Sequence, residues 1–169
     1  MKQILGYYKC RSEAEAPVFG TGESACFDIK AHLKFGDKVK LFTQFNKEMT
    51  SVIRENGSII LKPGDRVLVP TGLVFDIPVG YSVRLHARSG LSLKSGLLLA
   101  NSEAVIDSDY FNETFILLYN RSETTVTVSD GDRIAQGELV AVTPTELREV
   151  PLAPAQRTDR VGGFGSTGN

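Results

Sequence analysis

With 169 residues, 41% of them apolar, the chain is long enough for one compact domain with a real core and too short for two ordinary ones. The formal net charge is −1 and no basic run stands out, so the composition offers no footprint for duplex nucleic acid or an anionic membrane. A small ligand fits better than a polymer.

The opening Met1–Lys9 has too short an apolar stretch for a signal peptide, and nothing downstream approaches membrane-spanning length. A cytoplasmic location is expected, in the host's cytoplasm if the source is viral. Cys10 and Cys26 lack Cys-x-x-Cys spacing, and His32 and His86 suggest no ligand cluster. The expectation is therefore no structural zinc site and reduced, mostly buried thiols.

In chain order, the first strong strand signal is Phe27–Ala31. Residues 34–61 read as an insertion of hairpins: Lys38–Phe45 alternates as an amphipathic strand, Asn46-Lys47 can turn, and Asn56-Gly57 is the strongest short hairpin signal in the chain. Lysines 34, 38, 40 and 47 form a local basic face or solubilise an exposed edge strand. Arg66–Val69, Tyr81–Leu85, Thr114–Tyr119, Thr124–Val128 and Glu138–Val142 follow as strands, separated by Gly, Pro, Asn or Asp turns. One helical turn is expected near Ser89–Ser95, weakened by Gly90 and Gly96. The repeated Gly-Asp-Arg, at Gly64–Arg66 and Gly131–Arg133, is a turn feeding an apolar strand, used twice. The pattern predicts an all-β, jelly-roll-like barrel or sandwich with at most one short helix.

Polar clusters interrupt the sheet pattern. Asp107 and Asp109 close an apolar run two residues apart; on a strand they would share a face, one serving as a base and the other as structure, while a turn-capping role for Asp109 is the plainer reading. Arg88-Ser89-Gly90 offers a guanidinium, a hydroxyl and a permissive glycine, which suit phosphate or a surface turn. Gly131–Gln136 ends in a glutamine that needs partners if buried, whereas Asp132 and Arg133 form a turn and ion pair. The last ten residues, Arg160–Asn169, combine glycines, Phe164, an arginine and two hydroxyls. That is the composition of a clamp over a nucleotide, or of a frayed tail.

Taken together and in order, these clusters resemble the five motifs of the trimeric deoxyuridine triphosphatase (dUTPase) family. Ser24–Ala31 resembles the first motif, Ala87–Lys94 the second, Asn101–Tyr110 the third, Gly131–Gln136 the fourth and Gly162–Gly168 the fifth, with Pro70–Leu73 between the first two. The resemblance implies a β-clip type homotrimer that uses Mg²⁺ and water to convert dUTP to dUMP and pyrophosphate, limiting uracil in DNA. It implies one β domain over residues 1–155 and a flexible C-terminal lid over residues 156–169.

The same resemblance assigns roles. Asp107 aligns with the carboxylate that activates water against the α-phosphate, and Tyr110 with the aromatic under deoxyribose. The hairpin carrying Asn101 and Tyr110 is where the family reads uracil. Arg88, Ser89, Gly90 and Gln136 align with triphosphate contacts, and Asp28 and Gln136 with groups holding Mg²⁺ through its waters. Phe164 aligns with the ring that closes over uracil, followed by Gly165, with Ser166 and Thr167 as phosphate-binding hydroxyls.

The chain also departs from the pattern. Cys26 stands where the first motif usually has glycine, and Ala104 and Asn112 replace glycines flanking the third. Arg160 sits one position closer to Phe164 than in the familiar motif, which leaves Arg157 and Arg160 as candidates for the γ-phosphate. Residues 34–61 would be a subunit contact, a partner-binding arm or decoration. Two alternatives stand beside hydrolysis: a homologous dCTP deaminase, which needs a glutamate where this chain has Leu117, and a dUTP-binding regulatory protein acting through 34–61.

Overall fold

The computed structural model of the protein describes residues 2–159. In chain order the strands begin with β1 (Gly6–Lys9), β2 (Val18–Phe19), β3 (Phe27–Lys30), β4 (Lys38–Phe42), β5 (Glu48–Val52), β6 (Ser58–Leu61) and β7 (Arg66–Pro70). They continue with β8 (Leu73–Asp76), β9 (Tyr81–His86), helix α1 (Ser89–Ser95), β10 (Leu97–Leu99), β11 (Glu103–Asp107), β12 (Phe115–Asn120), β13 (Val126–Ser129) and β14 (Arg133–Ala141).

Two five-stranded sheets, ordered β10-β12-β7-β4-β5 and β11-β9-β14-β3-β2, are accompanied by the pairs β1-β8 and β13-β6. Each order has two ends, so the described residues form an open jelly-roll-like sandwich rather than a closed barrel. Alternation along the strands explains the layering. Phe27 and Ile29 of β3, Val67 and Val69 of β7, Ile116 and Leu118 of β12 are buried in one common core, while Asp28, Lys30, Arg66, Leu117 and Tyr119 lie nearer solvent. Fixing these apolar faces also fixes the outward faces, where the polar clusters sit.

The expected strands all form, with adjusted limits. β14 begins at Arg133 rather than Glu138, so Gln136 lies within a strand paired on both sides. The helix at Ser89–Ser95 is present, and Gly96 ends it: its φ of 63° supplies the left-handed cap, with its N–H bonded to Leu91 O.

Three expectations need correction. The Asn56-Gly57 turn does not join two paired strands, because β5 pairs with β4 and β6 with β13. Ile59 and Leu61 are core residues, so this end of the 34–61 segment is built into the domain. Lys34 pairs with Glu13 and Asp130, and Lys40 with Glu48, so two of the four lysine charges are neutralised locally instead of adding to a basic face. Cys10 is exposed and Cys26 half-buried, because both lie at strand ends rather than on inward positions.

Gly137 shows how tightly the second sheet is packed. It lies opposite Phe27 and Leu85 in β14, and a Cβ there would stand 2.8 Å from two atoms of the Phe27 ring. Phe27 cannot swing freely, since its ring packs against Phe19 and Phe75 with centroids 5.7 Å away in each case. Gly137→Ala should lower stability by about 1–3 kcal/mol, the usual range for overpacking a core, as read from the urea midpoint at unchanged slope. An unchanged or raised midpoint would show that the Phe27 ring is free to retreat.

Asp130 ties the loop after β3 to the β13–β14 turn. Its carboxylate accepts from Leu33 N–H at 2.8 Å and Lys34 Nζ at 3.0 Å. Burial pushes the Asp130 pKa upward, but these hydrogen bonds and the Lys34 charge outweigh it and hold the carboxyl below its ordinary 3.8. A depressed carboxyl pKa stabilises the fold fully above the unfolded value and loses that contribution as pH falls through the folded one. The stability difference between wild type and Asp130→Ala, from urea melts, should therefore be constant at neutral pH and shrink below about pH 3.8. A difference that grew on acidification would contradict this assignment.

Candidate functional site

Antiparallel register places Asp28, Gln136 and His86 in one row across β3, β14 and β9. Directly paired residues project to the same side of a sheet, so the row forms a polar outward stripe. A groove of about 410 Å³ opens beside it, lined by Gly20, Ser24, Cys26, Asp28, Arg88 and Gln136 among others.

Asp28 organises the cations of this groove. Its Oδ1 accepts from Arg88 Nε at 2.9 Å and its Oδ2 from Arg133 Nη1 at 3.1 Å. Arg88 Nη1 also donates to the Arg133 carbonyl at 3.3 Å. Two guanidinium groups against one carboxylate leave the groove with a surplus of positive charge, which suits an anionic ligand. Ser89 and Gly90 open α1 directly after Arg88, and no side chain caps that end. Arg133 was expected to pair with Asp132. Instead Asp132 closes its own turn on Ser129 N–H at 2.8 Å, and the strand directs Arg133 to Asp28.

A second cleft, of about 360 Å³, holds Asn101, Asp107 and Tyr110, with Ala104, Phe115 and Leu117 among its apolar lining. Asn101 lies in the tight β10–β11 turn, which Ser102 makes with a φ of 62°. Asp107 is the last residue of β11 and is exposed; its carbonyl accepts the Tyr110 N–H at 3.1 Å, closing the next turn. Asp109 lies in that turn and so does not share the strand with Asp107. Tyr110 Oη donates to the Glu113 carbonyl at 3.0 Å, which steadies its ring at the rim.

Glu113, which sequence reasoning missed, anchors this wall. Its carboxylate takes Arg11 Nε and Nη2, each at 3.0 Å, and the Gly72 N–H at 2.8 Å. Arg11 reaches Asp37 as well, at 2.8 Å. Burial works against the Arg11 charge, but pairing with Glu113 and Asp37 outweighs it and raises its pKa. Next to this wall, Thr71 Oγ1 donates to the Thr114 carbonyl at 2.6 Å. Among the described residues the buried Thr114 Oγ1, which lines the cleft, has no hydrogen-bond partner.

The two clefts are separated by sheet geometry. Asp107 pairs with Ser82, whereas Gln136 pairs with His86, four residues further along β9. A rise of about 3.4 Å per residue and a strand spacing of about 4.8 Å place Asp107 roughly 17 Å from Gln136 and 20 Å from Asp28, between Cα atoms. Within one chain, Asp107 and the Asp28 row therefore belong to separate clefts.

Further along the outward face, Cys26, His86 and Glu138 bring a thiol, an imidazole and a carboxylate together, all within 4.8 Å of one another. This corrects the expectation of no ligand cluster: the three are remote in sequence, and strand register makes them neighbours. Burial, then the Glu138 charge, pushes the Cys26 thiol pKa up. The expected tail residues Arg160, Phe164, Gly165, Ser166 and Thr167 lie outside the described residues.

The dUTPase family pattern matches residues 53–168. The deoxyuridine 5′-triphosphate nucleotidohydrolase of Caulobacter vibrioides is 37% identical over 158 residues, covering 93% of this chain and 88% of the relative. That of Rhizobium leguminosarum bv. trifolii is 42% identical over 122 residues, covering 72% and 77%. Among solved structures, a mutant of the Staphylococcus bacteriophage 80alpha dUTPase with dUpNHpp shares the fold at a TM-score of 0.77 and 20% identity, over 99% of both chains. The dUTPase of Streptococcus mutans gives a TM-score of 0.64 at 25% identity, over 83% of this chain and 98% of that one. The chain belongs to the dUTPase family.

Proposed function

We propose that this dUTPase family member hydrolyses dUTP to dUMP and pyrophosphate in a homotrimer whose sites are assembled from more than one chain. The observation that carries this reading is the division of the site. The cleft with Asn101, Asp107 and Tyr110 suits a base and sugar, and the groove with Asp28, Arg88 and Gln136 suits phosphates, yet one sheet holds them apart. Joining the first cleft of one copy to the second groove of another gives a continuous site. Closure by residues 156–169, with Arg157 or Arg160 on the γ-phosphate, would complete it.

In this reading Asp107 accepts a proton from the water that attacks the α-phosphate. Its exposure at the end of β11 leaves the carboxylate open to that water. Arg88, held at Nε and Nη1, keeps Nη2 for phosphate oxygens, and the uncapped Ser89 and Gly90 amides add donors. Tyr110, fixed through its hydroxyl, packs its ring under deoxyribose and leaves no room for a 2′-hydroxyl. The uracil edge is read by the turn carrying Asn101.

Asp28 and Gln136 offer hard oxygen donors suited to Mg²⁺, but Asp28 already accepts from two arginines, so these residues fit the ion through its waters rather than as direct ligands. When bound with the triphosphate, Mg²⁺ would neutralise phosphate charge. No helix among the described residues is long and apolar enough to cross a membrane. We place the work in the cytoplasmic nucleotide pool on the strength of the substrate. Deamination fits less well, because Leu117 presents an alkyl side chain to the cleft where a proton carrier would be needed.

Pyrophosphate release from dUTP, UTP, dCTP and dTTP should show strong preference for dUTP, and conversion of dCTP to dUTP would overturn the reading. Asp107→Asn should keep dUTP binding and lower turnover by at least about a hundredfold, measured on one preparation, since it preserves shape and removes basicity. Near-normal turnover would remove Asp107 from its role as base. Deleting residues 157–169 should leave the assembly intact by light scattering and abolish most turnover; full activity in the truncated chain would exclude a lid.

A further inference from the structure

We propose that Cys26, His86 and Glu138 form a binding site for Zn²⁺, distinct from the Mg²⁺ position and independent of the hydrolytic reading. The three ligand atoms come from adjacent strands of one sheet: Cys26 immediately precedes β3, Glu138 is on β14 and His86 on β9. Pairing Gln136 with both Asp28 and His86 fixes the backbone beneath them. Cys26 stands two residues before Asp28 and Glu138 two after Gln136, so both project on the outward face with His86.

The donor set decides the cation. Thiolate sulfur, imidazole nitrogen and carboxylate oxygen are the three ligand types that zinc takes in tetrahedral sites, and three protein ligands leave the fourth position to water. Mg²⁺ prefers near-octahedral oxygen and is not drawn to thiolate. Zinc bonds of about 2.0–2.3 Å set tetrahedral ligand atoms roughly 3.3–3.7 Å apart. His86 Nε2 and Glu138 Oε1 are already 3.1 Å apart, and Cys26 Sγ completes a triangle with no side longer than 4.8 Å.

Neighbouring charges leave the trio available. Arg84 lies directly across from Glu138, but its guanidinium turns to Ser82 Oγ at 3.2 Å and Glu103 at 3.9 Å. Glu138 thus faces His86. All three residues are partly exposed, and Cys26 also lines the Asp28 groove, which gives an ion a path from solvent. Binding converts the thiol to a zinc-bound thiolate and releases its proton to the buffer.

Reduced, metal-free, full-length protein titrated with Co²⁺ as a spectroscopic stand-in tests the site. The expected result is saturation at one Co²⁺ per chain, with a thiolate-to-metal charge-transfer band and the intense visible bands of four-coordinate cobalt, all removed by stoichiometric Zn²⁺. About a hundredfold excess of Mg²⁺ should leave them in place. C26S should abolish the charge-transfer band, whereas C10S should leave it unchanged. H86A and E138Q should each weaken Co²⁺ binding by at least about tenfold, the lower limit for losing even an outer partner of a metal. E138Q, which preserves shape, carries this comparison if H86A fails to fold by circular dichroism. Absence of saturable binding, a band that survives C26S, or displacement by Mg²⁺ would overturn the proposal.

Discussion

The register of β14 between β3 and β9 is the constraint on which the functional surface depends. A slip of one residue would turn Gln136 and Glu138 into the core and bring Gly137 outward, where no Phe27 ring requires a glycine. The buried pair Phe27 and Leu85 on either side of Gly137 opposes such a slip. Apolar packing on one face therefore sets the spacing of polar groups on the other, and Asp28, Gln136 and His86 are neighbours because Phe27, Ile29 and Leu85 are buried.

Charge pairing refines what register places. Asp28 draws Arg88 and Arg133 together at the groove; Asp28 and Arg88 are partly buried and Arg133 is exposed, and the shared carboxylate keeps both guanidinium groups oriented for a ligand. Glu113 performs the corresponding task at the other cleft, gathering Arg11 and the Gly72 amide next to the Tyr110 turn. Gly72 has a φ of 69°, which glycine adopts without strain, so the backbone can present its N–H to Glu113. Both clefts are shaped before ligand arrives, which lowers the ordering cost of binding.

Local chemistry made much of this legible. Alternation in Phe27–Lys30 and Arg66–Pro70, the αL glycine after Ser95 and the polar clusters at 88–90, 101–110 and 131–136 can be read from neighbours in the chain. Long-range choice was not legible. Asn56-Gly57 makes a turn as its residues demand, but which strands pair around it depends on where Ile59 and Leu61 find a core. Arg133 had Asp132 beside it and went to Asp28, because Asp132 is held in the β13–β14 turn by the Ser129 N–H while Arg133 opens β14 alongside β3. Glu113 and the Cys26–His86–Glu138 trio belong to the same class, since no spacing rule connects residues that meet only through a sheet.

The separation of Asp107 from the Asp28 row is the central physical claim, and mixed assemblies test it most directly. Asp107→Asn and Arg88→Ala chains, each expected to be nearly inactive alone, are mixed in equal amounts and allowed to exchange subunits, with mixing verified by mass. If each site takes Asp107 from one chain and Arg88 from another, roughly a quarter of the sites in the mixture are intact and pyrophosphate release from dUTP returns to about that fraction of wild type. If verified mixed assemblies stay as inactive as their parents, both residues serve the same site from one chain, and the account of a divided site is wrong.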